Sequence, residues 1–600
     1  MPTPAVWEQR FRVPLLFLPE WSPAAPDRCV YASSEAGIWQ LFAWDASTGE
    51  RRQATTSAVG VVDGTPTYDG EGVVWFDDET GDESGRWLVQ PFEGGEARPF
   101  LDGVPHGWSE GLAQAAGIVA VALSTRDGFA VYVSHDGAPA RELCRSTEAL
   151  QIGGGQRGFM RSGLSADGAL LCIGHAEHGD LIHPALRVLD PRSGATIGEL
   201  VDLGTALHAG CWSPVGNDHR LAFDHEREGE LRPALWDLHT GERTDLHFDV
   251  VGDVTVADWW PDGSALLLKH LVEGRHRLLR YDVASGVSTT VPSEPGFVWS
   301  ARVRPDGSVW FAHEQGGRPR RAFDDAGREV LPLAGTATPP ARSYESWQFT
   351  NEHGQDVHGF VVTPDDSRGP FPVLMFVHGG PTSLDMDRWQ PDVQAFVDAG
   401  FMVGLVNYRG STGYGAEWRD ALIGNIGGPE LEDVNAGLRD LVARGLADPA
   451  RAVVGGYSWG GYVTLLEVGK HPDLWLCGIA GVPVGDYEAA FDAESPLLQA
   501  YDRALLGGEP KDLPELMRDR SPIYFVDDVR APVFFTIGKN DSRCPYQQAM
   551  NYIERLAARG HPHEVYVFPT GHSAFDIDER VRQVRGMLDF LERYVPGLTR

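Results

Sequence analysis

Cysteine is scarce, with six in 600 residues, at positions 29, 144, 172, 211, 477 and 544. No two stand as a CxxC pair, which argues against a zinc or thioredoxin-like motif. So low a count in a long chain also argues against a disulfide scaffold. Long apolar runs are lacking too. The run LLFL at 15–18 lies between Pro14 and Pro19 and is too short for a signal sequence. Nothing approaches the ~18 apolar residues of a membrane span. Basic residues are few beside acidic ones, 51 against 85, for a net charge of −34. A field of that sign repels phosphate backbones and anionic lipid, so nucleic acid and membranes are excluded as expected partners. These absences predict a soluble, cytoplasmic protein.

What is abundant is glycine, 71 of 600 residues, without a Gly-X-Y period. Many glycines in a chain that is 42% hydrophobic predict tight turns between short strands. The length itself predicts at least two domains.

Residues 20–335 repeat. A turn dipeptide precedes a short apolar run at Asp69-Gly70, Asp167-Gly168, Asp262-Gly263 and Asp306-Gly307, with Ser213-Pro214 in the same role. A second signature, Asp-x-x-(Ser/Thr)-Gly, begins at Asp45, Asp190, Asp237 and Asp282, with last steps of 47 and 45 residues. Short strands with Gly/Asp turns, recurring every ~45 residues, predict propeller blades of four strands each. About seven such periods fit, so an all-β seven-bladed propeller is expected over 20–335. Residues 1–19 form an N-terminal segment. The stretch 336–346, rich in proline and small residues, reads as a linker.

From 347 to 600 the pattern changes. Apolar strands at 373–377, 402–406, 452–455, 533–537 and 565–568 alternate with helical stretches at 431–444, 546–559 and 578–594. Such alternation predicts a mostly parallel sheet with helices on both faces, an α/β-hydrolase fold.

The strongest chemical motif is GYSWG at 456–460, after a short strand and before a helical stretch. That context makes Ser458 the nucleophile of a strand–turn–helix elbow, with glycines where side chains would strike the strand and helix. A serine hydroxyl needs a base, and the base needs an orienting carboxylate. The order Ser, Asp, His picks out Asp541, just past the strand at 533–537, and His572, just past the strand at 565–568. His471, His561, His563 and Asp486 are less well placed. The backbone N–H of Trp459, and that of Gly379 in HGGP at 378–381, are the expected oxyanion donors. His378 itself reads as a packing or capping residue.

The motifs HGGP (378–381), NYRGSTGYG (407–415), GYSWGGY (456–462), NDSRCP (540–545) and GHS (571–573) together resemble the prolyl oligopeptidase family of serine peptidases. The first two are most similar to its acylaminoacyl-peptidase/aminopeptidase branch. The resemblance spans nearly the whole chain. It implies a propeller that covers the catalytic mouth and restricts entry to small peptides. It also implies that Arg543, two residues after Asp541, binds a substrate carbonyl. Some branches carry a Tyr at the position of His378, so here the second oxyanion donor falls to the Gly379 backbone. The dipeptidyl-peptidase branch grips the substrate amine with adjacent glutamates, and this chain has no Glu-Glu pair.

The expected activity is that of a serine exopeptidase on small peptides or aminoacyl amides, with no metal or cofactor. An esterase or amide-antibiotic hydrolase using the same triad is the alternative. A non-catalytic propeller scaffold is the third reading. Pocket walls are expected from residues 482–501.

Overall fold

The computed structural model describes residues 4–153, 163–335, 338–365, 367 and 369–598. Residues 336 and 337 of the expected linker lie outside them. The chain divides into two compact units, one of Pro14–His313 with Arg320–Ala334, the other of Met1–Val13, Glu314–Pro319 and Gly335–Arg600.

The first unit is all β, built of consecutive antiparallel strands in a propeller-like arrangement. Three sheets have four strands each, spanning Glu20–Trp21 to Arg51–Gln53, Leu150–Ile152 to Thr196–Leu200 and Leu207–Trp212 to Arg243–Asp245. An eight-stranded sheet runs from Gly64–Pro66 to Arg141–Ser146, and a six-stranded one from Asp253–Trp259 to Arg318–Asp324. The separate sheets thus number five among the described residues, where seven blades were expected. Two features merge them. In the eight-stranded sheet, the pairs Ser84↔Trp108 and Gly85↔Gly107 bond one four-stranded meander to the next. In the six-stranded sheet, the 16-residue strand Ser288–Val303 runs on from one meander into the following one.

The repeated Asp-x-x-(Ser/Thr)-Gly signature has a physical cause. Asp45, Asp237 and Asp282 end a strand and Asp190 follows one, and the carboxylate accepts from a turn N–H, as Asp45 does from Ser47 (2.9 Å) and Asp237 from His239 (2.8 Å). The glycine then closes the turn by donating its N–H to the Asp carbonyl, at 2.8 Å for both Gly49 and Gly241. It does so at φ +78° and +76°, a region that a side chain would strain.

Neighbouring sheets bury their faces on each other in chain order. Val30 and Leu41 pack with Val73 and Trp75, Leu186 and Val188 with Trp212 and Phe223, and Cys211 and Leu235 with Trp259 and Leu266. The last sheet returns to the first: Ala312 and Ala322 share a cluster with Trp21, Tyr31 and Phe42. Arg302 joins Glu20 (2.9 Å) to Asp258 (3.1 Å) across the same closure. Each large apolar side chain buried this way contributes ~1.5–3 kcal/mol.

The second unit is an α/β-hydrolase sheet of eight strands: β1 Glu345–Thr350, β2 Asp356–Val362, β3 Phe371–Val377, β4 Met402–Val406, β5 Ala447–Tyr457, β6 Cys477–Gly481, β7 Val533–Gly538 and β8 His563–Phe568. Their spatial order is β1-β2-β4-β3-β5-β6-β7-β8. Pairing is antiparallel from β1 through β2 to β4 and parallel from there onward. Every residue of β3 is buried, as a central strand covered on both faces requires.

Helix α1 (Val6–Phe11), α2 (Pro391–Asp398) and α10 (Ile577–Tyr594) pack on one face, where Leu374, Phe376, Leu405, Ile479 and Phe534 meet Phe396, Val584, Met587 and Leu591. Helices α4 (Pro429–Ala443), α5 (Trp459–Lys470) and α9 (Tyr546–Ala558) contact the sheet as well. Of the N-terminal segment, the residues up to Val13 belong to this unit and those from Pro14 to the all-β one. Trp7 and Phe11 join its core, and Arg10 pairs with Asp398 at 2.5 Å while donating to the Pro340 carbonyl at 2.9 Å.

Candidate active site

The C-terminal ends of β3, β5, β7 and β8 carry the residues singled out by the sequence, at the edge where open parallel sheets bind ligands. Ser458 follows β5 and occupies the position before the first turn of α5, without a side-chain capping bond. Its backbone is held at φ +59°, ψ −119°, an uncommon conformation for a non-glycine residue. Its N–H donates to the Gly481 carbonyl at 2.8 Å. The flanking glycines are obligatory on steric grounds. A Cβ at Gly456 would lie 2.3 Å from the Val377 carbonyl oxygen, and one at Gly460 would lie 2.0 Å from it. Strand β3, the elbow and helix α5 therefore meet backbone to backbone.

Past β7 and β8, His572 Nδ1 and Asp541 Oδ2 are 2.8 Å apart, with 12% and 1% of their side chains exposed. Asp541 is held from behind: its Oδ1 accepts from the N–H groups of Arg543 and Cys544, both at 2.8 Å. The two loops touch closely, since a Cβ at Gly538 would lie 2.2 Å from the Gly571 carbonyl. Asp541 and His572, 31 residues apart in sequence, thus form one buried hydrogen-bonded pair. An acceptor that orients one ring nitrogen leaves the other free to exchange a proton with a hydroxyl.

Gly379 lies against the elbow, where an added Cβ would come within 3.0 Å of the Tyr457 carbonyl oxygen and 3.2 Å of Ser458 Cβ. Trp459 opens α5, so its N–H is among those with no acceptor inside the helix. His378 packs, as its sequence context suggested. Its ring stacks on Tyr408 at 4.2 Å, Nδ1 donates to the Gly379 carbonyl at 2.8 Å, and Nε2 accepts from Ser411 Oγ at 2.9 Å. Burial pushes it down to about 4, so it is neutral near pH 7. Arg543 is half-buried, and its N–H belongs to the Asp541 loop.

The competing residues have other partners. His471 pairs with Glu467 at 2.9 Å, His561 with the Ala531 carbonyl at 2.8 Å and His563 with the His561 carbonyl at 2.7 Å. Asp486 caps α6 (Tyr487–Ala493) and accepts from Asn551 at 2.8 Å.

Three features were not legible in the sequence. The NYRGSTGYG motif braces the loop after β3: Asn407 bonds both backbone groups of Asp385, Ser411 holds His378, and Thr412 N–H donates to the Ser383 carbonyl at 2.9 Å. Arg409 anchors this motif on Asp433, donating its N–H to Oδ2 at 2.8 Å and Nη2 to Oδ1 at 3.0 Å. The expected pocket segment 482–501 is tied to the loops after β3 and β7, by Tyr501 Oη to Thr382 Oγ1 (2.9 Å) and by Ser495 N–H to the Ser542 carbonyl (3.0 Å). Finally, Cys544 is buried next to the Ser458 hydroxyl. Burial first, and then the charges of Asp541 and Glu494, push its thiol well above the ordinary range.

Residues 388–597 match the model of the prolyl oligopeptidase family. The acylamino-acid-releasing enzyme of Rattus norvegicus is 30% identical over 379 residues, which cover 61% of this chain and 47% of that protein. The chain thus spans about half the length of the curated relatives it matches. In fold it is similar to a puromycin hydrolase (TM-score 0.82, 22% identity, covering 100% of this chain and 98% of that one). It is likewise similar to a puromycin-hydrolyzing peptidase of Mycobacterium tuberculosis (TM-score 0.81, 20% identity, 100% and 97% covered). Through residues 388–597, the chain carries a domain of the prolyl oligopeptidase family.

Proposed function

We propose that this protein is a serine exopeptidase that hydrolyses small peptides or aminoacyl amides through Ser458, His572 and Asp541. The observation that carries the reading is the buried 2.8 Å pair of His572 and Asp541 on the same sheet edge as a serine held at φ +59°. Ser458 attacks the scissile carbonyl, and His572 takes the hydroxyl proton while Asp541 stabilises the resulting imidazolium. The tetrahedral oxyanion is received by the backbone N–H groups of Trp459 and Gly379, each of which contributes roughly 3 kcal/mol to the transition state. His572 then protonates the leaving amine, and water hydrolyses the acyl-enzyme by the same steps in reverse. Arg543 receives a substrate carbonyl, and residues 482–501 shape the pocket. No metal or cofactor takes part.

The finer architecture belongs to the same reading. Counting each four-stranded meander of the eight-stranded sheet as a blade, and dividing the six-stranded sheet within Ser288–Val303, gives seven blades over 20–335. The linker is 336–346, and the catalytic domain is 347–600. No disulfide joins the cysteines among the described residues, and this reading places the protein in the cytoplasm.

A second reading, an amide-antibiotic hydrolase or esterase, draws on the two solved structures named for puromycin hydrolysis. A panel of aryl esters and of free, N-acylated and dipeptidyl arylamides separates them, assayed with wild type and Ser458→Ala in the presence of a chelator. The peptidase reading expects arylamide turnover that survives the chelator and falls by roughly 10⁴–10⁶-fold in the variant. Ester turnover without amide turnover selects the esterase. An activity that persists in Ser458→Ala overturns both.

A further inference from the structure

Cys544 stands beside the reaction centre without a part in the proposed chemistry. Its Sγ, one carboxylate oxygen of Asp541 and one ring nitrogen of His572 all lie within 4.8 Å of one another. Among the described residues, this is the one group of three His, Cys, Asp or Glu side chains found with ligand atoms so close. The Ser458 hydroxyl adjoins the same thiol.

A thiolate, an imidazole and a carboxylate, with a hydroxyl or water as fourth donor, make a tetrahedral set suited to a borderline-soft cation. Bond lengths of ~2.0–2.3 Å to such a cation place tetrahedral ligand atoms roughly 3.2–3.7 Å apart. The three ligand atoms lie within 4.8 Å of one another, and His572 and Asp541 are already hydrogen-bonded at 2.8 Å, so the set brackets that spacing.

Other clusters are poorer. His175 and His178 share one carboxylate oxygen of Glu199, at 3.1 and 3.3 Å, but they bring no thiol. Cys144, the half-buried cysteine, lies in the all-β unit.

We propose that Cys544, His572 and Asp541 form an inhibitory site for a thiophilic divalent cation such as Zn²⁺, built across the catalytic residues. The proposal rests on the triad reading for its effect on activity, but not for the binding itself. On binding, the Cys544 thiol releases its proton to solvent and the thiolate coordinates. His572 coordinates through the lone pair of a neutral ring nitrogen, and no electron is transferred. Held in this way, His572 no longer serves Ser458 as a base.

The test uses the whole protein freed of metal, titrated with Co²⁺ and Zn²⁺, alongside Cys544→Ala, Cys544→Ser and the control Cys144→Ala. Three readouts are followed: the near-ultraviolet thiolate-to-cobalt absorption, arylamide turnover and fluorophosphonate labelling. The proposal expects one Co²⁺ per chain with a thiolate band in wild type and Cys144→Ala, and no band in either Cys544 variant. It expects Zn²⁺ to suppress turnover and labelling in wild type, a chelator to restore them, and the Cys544 variants to need at least about tenfold more Zn²⁺. Equal Zn²⁺ sensitivity in wild type and both Cys544 variants overturns it, as does a wild-type Co²⁺ titration without a thiolate band. If the metal-free enzyme neither turns over nor labels, the triad reading fails, and the cobalt band alone decides the metal site.

Discussion

A serine held at φ +59° costs of order 1–3 kcal/mol of backbone strain, which the surrounding contacts must offset. Here the offset comes from close backbone packing around the elbow, which glycine alone permits. Gly460→Ala would place a methyl group 2.0 Å from the Val377 carbonyl oxygen, which is main chain and cannot swing away. The expected outcome is a drop of several degrees in Tm together with a loss of arylamide turnover of 100-fold or more, since α5 or β3 must shift. Thermal unfolding and steady-state kinetics on the purified variant check both. The positions of Ser458, Asp541 and His572 stand out in the sequence because each lies just past a parallel strand, in a fixed chain order. Cys544 does not. Its side chain reaches Ser458 only because the 541–544 turn closes on Asp541 Oδ1, a fact of three-dimensional geometry that the NDSRCP motif does not reveal.

The elements show where pattern reading succeeds and where it stops. The turn signatures were legible because each motif satisfies its own backbone hydrogen bonds locally. Strands β3 and β4 stood out as continuous apolar runs. Strand β1 did not, because an edge strand with one exposed face alternates, and β6, with the sequence CGIAG, lacks the β-branched density that marks a strand. The sheet boundaries of the all-β unit were also illegible, since the Ser84↔Trp108 pairing depends on where two meanders meet. The strand Gly107–Ala115 offers a test of this unit. Its Glu110 is buried and accepts from Ser124 Oγ (2.8 Å) and Gln151 Nε2 (3.1 Å). Burial raises it to about 8, above its unfolded value of 4.5. The folded state therefore keeps a proton that the unfolded state loses. Its stability contribution is complete below pH 4.5 and is lost as pH rises toward 8, by up to about 1.4 kcal/mol per pH unit. Glu110→Gln is expected to flatten that part of the Tm–pH profile between pH 5 and 8. An unchanged slope contradicts the assignment.

For the whole molecule, the charge of −34 acts on approach, before any contact is made. A cationic substrate is drawn in by such a field and a neutral one is not, with a reach of about 10 Å at 0.1 M salt. With arylamides that differ only in a free or acetylated α-amine, kcat/KM of the cationic member is expected to fall several-fold between roughly 20 and 300 mM salt. The neutral member is expected to hold steady, and equal salt dependence would show that net charge plays no part in substrate capture. If two distant loops and one elbow converge on Ser458 as the nucleophile, fluorophosphonate labelling followed by peptide mapping yields a single adduct on the peptide carrying Ser458, formed at a rate that collapses in His572→Ala. An adduct on another serine, or equal labelling of Ser458→Ala, would contradict that role.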